Sequence, residues 1–131
     1  MISAIALAAS ISALPNPVRG DFDHDGKLDI AEIVHVRPDA FQLVVRFGGK
    51  KRSAAVIESF NTQDLHDFYL AKARPGRWMT WCGKGGGEDG DPCPEIAVRL
   101  RGDTLSFGAV EASESVAIWD GRKFRVVLLS D

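Results

Sequence analysis

Much of the chain after the first 17 residues alternates between apolar and polar side chains with a period of two. The alternation is clearest in residues 41–47, 96–100 and 124–128. Such a pattern places the apolar side chains on one face of a β-strand, where they can be buried together. The faces predicted to be buried consist of Phe41, Leu43, Val45 and Phe47, of Ile96, Val98 and Leu100, and of Phe124, Val126 and Leu128.

Pairs of turn-forming residues interrupt the alternating segments. Glycine adopts backbone conformations that other residues avoid, and proline, aspartate or another glycine beside it favours a tight turn. These pairs are Pro38-Asp39, Gly48-Gly49, Pro75-Gly76, Gly102-Asp103 and Asp120-Gly121.

Helical periodicity is weak throughout the sequence. The nearest candidate is "NTQDLHDFYLAKA", in which we expect one helical turn around Thr62–His66. We therefore predict an all-β fold of about eight or nine short antiparallel strands, joined mostly by hairpins and arranged as blade-like sheets or a sandwich.

Length and composition are those of one ordinary globular domain. The chain has 131 residues, of which 45% are hydrophobic and 26% are charged, enough for a hydrophobic core. Its formal net charge is −2, which argues against a general nucleic-acid binder. A protein or carbohydrate partner stays open.

The N-terminal segment "MISAIALAASISAL" resembles the apolar region of a signal peptide. It carries no charged side chain before Arg19, and it is too short to span a bilayer as a helix. A signal peptide usually has a lysine or arginine near its start, so a buried apolar segment is the alternative. We predict a leader over residues 1–14, a single β domain over 15–131, no stable membrane insertion, and a periplasmic or secreted location.

The two cysteines lie in a glycine-rich segment. Cys82 and Cys93 bracket "GKGGGEDGDP", and two cysteines closing such a loop favour a disulfide in an oxidising compartment. Two free thiols or half of a metal site are the alternatives, although a zinc site needs more ligands than these two. The disulfide would agree with export.

An acidic segment, "DFDHDGKLDIAE", places five carboxylates within residues 21–32. They repel one another unless a cation neutralises them. The segment matches the calcium-loop pattern D-x-[DN]-x-[DN]-G-x₅-E, in which Gly26 permits a sharp bend. The predicted Ca²⁺ ligands are the side chains of Asp21, Asp23, Asp25, Asp29 and Glu32 and the backbone carbonyl of Lys27.

The residues between and beside the predicted ligands allow predictions about the structure of the loop and its flanks. We expect His24 to point to solvent and Leu28 to pin the loop to the core. Upstream, "SALPNPVRG" contains two prolines and a glycine, and downstream "IAEIVHVRP" is rich in β-branched residues. Both segments disfavour the flanking helices of an EF-hand, and the second favours a strand.

The order of residues in "GDFDHDGKLDIA" resembles the repeat of FG-GAP and VCBS proteins, in which an Asp-rich calcium loop leads into a strand. That resemblance implies the same ligands at Asp21, Asp23, Asp25, Lys27 and Asp29. Glu32 is not part of the repeat. This chain has one such loop and too few strands for a propeller, so a compact sandwich or a blade-like pair of sheets is expected.

The remainder of the chain is similar to small exported bacterial proteins that combine such a loop with "PG…CGKG" and a "WDG…F…SD" ending. The matching segments are Pro75-Gly76, residues 82–85, residues 111–113 and residues 119–131. They carry no recognisable chemistry.

Three functional classes remain open from the sequence. We favour a non-enzymatic calcium-binding module, in which the ion has a structural role. A calcium-dependent hydrolase or enzyme inhibitor and an EF-hand sensor are the alternatives. No catalytic residue is predicted, because no serine or cysteine has the context of a nucleophile. Arg-Gly-Asp occurs at 19–21 and 101–103, but Asp21 is a predicted ligand and Asp103 is expected in a hairpin.

Overall fold

The computed structural model describes residues 14–49, 54–65 and 67–131, and ten strands lie within them. The predicted all-β class is confirmed. The strands are β1 (Val18–Gly20), β2 (Asp29–Arg37), β3 (Ala40–Arg46), β4 (Ala54–Asn61), β5 (Phe68–Lys72), β6 (Gly76–Met79), β7 (Ala97–Leu100), β8 (Leu105–Ala109), β9 (Glu114–Trp119) and β10 (Phe124–Ser130).

The strands form two antiparallel four-stranded sheets and a separate hairpin. In the first sheet, β1 to β4 lie in sequence order, each paired with the next. The second sheet has the order β10-β9-β8-β5, and β6 pairs with β7 outside it. A 3₁₀ turn over Thr62–Leu65 joins β4 to β5, in agreement with the expected helical turn; His66 lies outside the described residues.

The main core lies between the two sheets, which makes the domain a sandwich. Apolar side chains of β2 and β3 pack against those of β8 and β9 because the period-two pattern turns them all inward. The buried members are Ala31, Ile33, Phe41, Leu43 and Val45 from the first sheet and Leu105, Phe107 and Ala117 from the second.

A second core lies on the outer face of the second sheet. Val116 and Leu129 point away from the first sheet and pack with Val98 and Leu100 of the β6–β7 hairpin. The partly buried ring of Trp78 packs against the same cluster. The hairpin therefore covers part of the face that the sandwich leaves open.

Of the predicted apolar faces, that of β3 is correct, that of β7 is correct at Val98 and Leu100, and that of β10 is correct only at Phe124, which packs against the main core. Val126 and Leu128 are 42% and 37% exposed, whereas Leu129 is 1% exposed. The reason is that β10 is the outermost strand of its sheet, and the side chains covered by the β6–β7 hairpin are those of the opposite parity. Ile96, just before β7, is also exposed.

The apolar leader predicted for residues 1–14 lies almost entirely outside the described residues. Only Leu14 is described, and its partly buried side chain packs against the main core. Among the described residues, no helix is long and apolar enough to cross a membrane.

Candidate metal centre

The acidic loop connects β1 to β2 at one end of the first sheet. Gly20 pairs with Asp29 at the last position of the β1–β2 ladder, so the residues between them form the hairpin connection. Phe22, which is 1% exposed, anchors this connection in the main core. The prediction that Leu28 does so is wrong, because its side chain is 64% exposed.

Three of the predicted ligands come together as one group of carboxylates. Asp21, Asp23 and Asp29 each offer one oxygen, and these oxygens all lie within 4.8 Å of one another. Asp29 is fully buried, and the other two are half-buried. Such an arrangement of oxygen donors could hold a metal ion.

Asp29 organises the loop through backbone amides. Its Oδ2 accepts hydrogen bonds from Phe22 N at 2.8 Å and from Asp23 N at 3.3 Å. Its Oδ1 accepts one from Gly48 N at 2.9 Å, in the turn after β3. These three N–H donors stabilise the buried charge, and Oδ1 retains a lone pair for a further partner.

Asp21 closes the tight turn of the loop. Its two carboxylate oxygens accept hydrogen bonds from Asp25 N at 3.0 Å and Gly26 N at 2.9 Å. Gly26 has a φ of 87°, a left-handed conformation that explains why glycine occupies this position. His24 also has a positive φ, of 58°, and its side chain is exposed as expected.

Asp23 is the one side chain with a buried oxygen that has no hydrogen-bond partner among the residues that the structure describes. Its Oδ1 is buried and accepts no hydrogen bond. Burial, followed by the neighbouring charges of Asp29 and Asp25, raises the pKa of Asp23 to about 7. A buried carboxylate oxygen costs free energy when it is left unpaired, and a cation bound there would remove this cost.

The other predicted ligands lie outside the three-carboxylate group. Asp25 is exposed, and its Oδ1 accepts a hydrogen bond from Lys27 N at 2.9 Å, which lowers the pKa of Asp25. Glu32 lies on β2 and forms an ion pair with Arg46, with 2.7 Å between Oε2 and Nε. The ligand roles of Asp25, the Lys27 carbonyl and Glu32 stay predictions.

Two residues from distant parts of the chain hold the loop and were not predicted to do so. Gly48 donates to Asp29, and Asp103 Oδ2 accepts a hydrogen bond from Asp21 N at 2.8 Å. The hairpin predicted around Asp103 is wrong, because β7 and β8 belong to different sheets. No local pattern identifies these contacts, since 82 positions separate Asp103 from Asp21.

The predicted disulfide is confirmed. Cys82 and Cys93 are bonded across a separation of 11 positions. The segment beside the bond is fixed by the hydroxyl of Thr80, which donates to Glu95 O at 2.6 Å. Trp81 N donates to Leu128 O at 2.8 Å, so the chain directly before the disulfide loop (residues 82–93) is attached to β10.

The flanks of the acidic loop exclude an EF-hand. The chain enters from β1 and leaves into β2, and both are strands, whereas an EF-hand needs a helix on each side. Comparison with known proteins adds no further identification: no family model, no curated protein and no solved structure matches this chain. The resemblance to FG-GAP and VCBS repeats therefore stays a prediction carried by residues 20–31.

Proposed function

We propose that this protein is a calcium-binding β-sandwich module, and that one Ca²⁺ in the β1–β2 loop stabilises its fold in the periplasm or outside the cell. The observation that carries the proposal is the buried, unpartnered Oδ1 of Asp23 beside the carboxylates of Asp21 and Asp29. A hard divalent cation satisfies this oxygen and offsets the repulsion among the three groups.

The chemistry of the donors favours calcium over other metals. The group consists of carboxylates alone, and hard oxygen donors suit Ca²⁺ and Mg²⁺ better than Zn²⁺ or copper. Mg²⁺ requires a small, nearly ideal octahedron and usually retains several waters. A hairpin connection with three carboxylates suits the larger and more variable shell of Ca²⁺.

The proposed ligand set begins with the three converging carboxylates. The side chain of Asp25 and the backbone carbonyl of Lys27 lie in the same turn and would add further oxygens. Asp29 would contribute only through Oδ1, because two amides already occupy its Oδ2. Water would complete the six to eight oxygens that Ca²⁺ takes.

One structural feature supports the proposed location. The Cys82–Cys93 bond is typical of proteins in an oxidising compartment. Extracellular calcium modules bind with dissociation constants of about 10⁻⁴–10⁻³ M, so they are occupied outside the cell and empty inside. A site that adds stability only when calcium is abundant suits an exported protein.

Thermal unfolding with and without calcium tests this function. At a Ca²⁺ concentration of 100 times the dissociation constant, we expect a gain of about 2.7 kcal/mol over the protein in EDTA, or about 10 °C in Tm for a domain of this size. Asp23→Asn should lose most of this gain. Asp39→Asn, which removes the same charge from an exposed turn, should retain it.

Three results would contradict the proposal. They are no calcium-dependent shift in the wild-type protein, an equal shift with Mg²⁺ at the same concentration, and an unchanged shift in Asp23→Asn. Isothermal titration of the oxidised protein with Ca²⁺ measures the stoichiometry, which we expect to be one ion per chain.

A further inference from the structure

Asp103 connects the acidic loop of the first sheet to the β7–β8 connection. It lies in the connection between β7 and β8, and its Oδ2 accepts the backbone N–H of Asp21 at 2.8 Å. Its Oδ1 lies 3.9 Å from Lys72 Nζ. The carboxylate therefore bridges a proposed calcium ligand and the end of β5.

The second sheet fixes the position of Asp103. Thr104 O accepts a hydrogen bond from Ala73 N at 2.9 Å, and Lys72 pairs with Leu105 in the β5–β8 ladder. Asp103 thus directly precedes Thr104 and Leu105, which are joined to the end of β5. The loop, in contrast, belongs to the β1–β2 hairpin of the first sheet.

The approach between these two parts leaves no room for a larger residue at the end of β1. A Cβ atom on Gly20 would lie 2.9 Å from the ring of Phe22 and 3.2 Å from Asp103 Oδ2. Glycine therefore permits the close approach of the loop to the connection. The contact depends on tight packing in addition to one hydrogen bond.

We infer that Asp103 is a positioning residue that couples calcium occupancy of the β1–β2 loop to the second sheet. The inference rests on the proposed function. Asp103 holds the backbone of Asp21 so that its carboxylate faces Asp23 and Asp29, and its own negative charge strengthens the attraction for a cation. In return, an ion that fixes Asp21 keeps the β7–β8 connection closed.

Linkage makes the coupling measurable from both sides. If the Asp103 contact tightens calcium binding by a given factor, calcium lowers the equilibrium constant for opening of that contact by the same factor. Outer contacts of metal ligands typically contribute 10- to 100-fold to affinity. We expect about tenfold here, because the contact reaches the backbone of the ligand and not its side chain.

Amide hydrogen exchange in EDTA and in saturating Ca²⁺ measures this coupling in the wild-type protein. Exchange should slow with calcium in residues 21–29 and, by about tenfold, in residues 101–104. In Asp103→Ala, the slowing at 101–104 should disappear while that at 21–29 remains, and the calcium dissociation constant should rise about tenfold. Asp103→Asn keeps an acceptor oxygen and should restore most of both effects.

Asp120→Ala is the matched control. The carboxylate of Asp120 also accepts two backbone N–H groups, those of Arg122 and Lys123 at 2.8 and 2.9 Å, but it lies in the β9–β10 turn. Its loss should change neither the calcium affinity nor the calcium-dependent slowing at 101–104.

The outcomes separate this inference from the proposed function. Slowing confined to residues 21–29 in the wild-type protein, or unchanged affinity in Asp103→Ala, would overturn the coupling and leave the calcium site intact. A loss of coupling in Asp120→Ala would also overturn it, since general destabilisation would then explain the effect. No slowing anywhere would overturn the proposed function itself. If Asp103→Ala does not fold, amide exchange at residues 101–104 of the wild-type protein, with and without calcium, still tests the coupling.

Discussion

The acidic loop between β1 and β2 and the disulfide loop between β6 and β7 are held by different means. Phe22 and Asp29 anchor the acidic loop from within, and Gly48 and Asp103 hold it from two other parts of the chain. The disulfide loop is closed by its own covalent bond, and most of residues 84–92 are exposed. The acidic loop is held by contacts with two other parts of the chain, whereas the disulfide loop is closed by a covalent bond of its own and attached to β10 beside that bond.

Because of this difference, the stability of each loop responds to different solution conditions. The acidic loop concentrates carboxylates whose charges a cation or a proton can neutralise, so its stability responds to calcium and to pH. The disulfide loop responds to reduction. The five predictions that follow separate the two loops, beginning with the largest expected effect.

Truncating the apolar anchor of the acidic loop should have the largest effect. Phe22→Ala removes a ring that is 1% exposed in the main core, at an expected cost of about 3–5 kcal/mol. Calcium affinity should fall as well, because the ring fixes the backbone between Asp21 and Asp23. Denaturant unfolding and calcium titration measure the two effects. A stability loss below 1 kcal/mol would show that the loop is not anchored there.

Removing the disulfide should destabilise the protein without affecting the metal centre. In the double variant Cys82→Ser/Cys93→Ser, we expect a loss of about 3 kcal/mol from the chain-entropy model. The calcium-dependent shift in Tm should equal that of the wild-type protein. A smaller calcium-dependent shift in Tm would mean that the two loops are coupled and do not respond separately.

A methyl group at Gly86 should disturb the disulfide loop alone. A Cβ atom there would lie 2.1–2.3 Å from indole atoms of Trp81, so the ring must move, at a cost of about 1–3 kcal/mol. Backbone strain does not contribute, since Gly86 does not have a positive φ. Tryptophan fluorescence and thermal unfolding should change while calcium affinity stays constant.

Changes in pH should affect the contributions of Asp23 and Glu95 to stability in opposite directions. In the metal-free protein, burial raises the pKa of Asp23 to about 7, so the stability gained from its protonation is present at low pH and is lost as pH rises towards 7. The hydrogen bond from Arg125 lowers the pKa of Glu95 beside the disulfide, so the contribution of Glu95 is lost as pH falls.

Calcium should reverse the first of these dependences, because the ion displaces the proton. Below pH 7, affinity should weaken by up to about tenfold per pH unit. Calcium titrations at several pH values measure this effect, and melting in EDTA over the same range serves as the reference. A calcium affinity independent of pH would show that Asp23 is ionised before the ion binds.

The smallest effect is expected at Glu32. Its ion pair with Arg46 is partly exposed, with 27% and 55% of the two side chains accessible, and such pairs contribute about 0.2–1 kcal/mol. Glu32→Gln should therefore change stability and calcium affinity little. A tenfold loss of affinity would show that Glu32 leaves Arg46 and ligates the ion.

Short sequence patterns correctly predicted the features that depend on neighbouring residues alone. Alternation fixed the buried face of β3, the cysteine spacing indicated the disulfide, and the aspartate spacing indicated Asp21, Asp23 and Asp29. The choice between Phe22 and Leu28 as the anchor depends on the path of the turn, which the positive φ values of His24 and Gly26 determine. The sequence pattern does not distinguish these two apolar residues.

Long-range contacts and sheet positions could not be obtained in this way. Asp103 reaches Asp21 across 82 positions because β8 and β1 lie in facing sheets, and no short segment encodes that arrangement. The exposed parity of β10 likewise depends on its place at the outside of a sheet and on the hairpin that covers the other face. The Asp103–Asp21 contact and the exposed face of β10 both depend on how the sheets pack in the folded domain.

The hydrogen bond between Trp81 N and Leu128 O has a consequence for the solubility of the protein. Outermost strands expose unpaired backbone groups that can pair with another molecule and start aggregation. On β10 the apolar side chains of Val126 and Leu128 are partly exposed beside that backbone. Because Trp81, next to the disulfide, pairs with this strand, we expect reduction of the disulfide to increase self-association through β10, which light scattering of oxidised and reduced protein would measure.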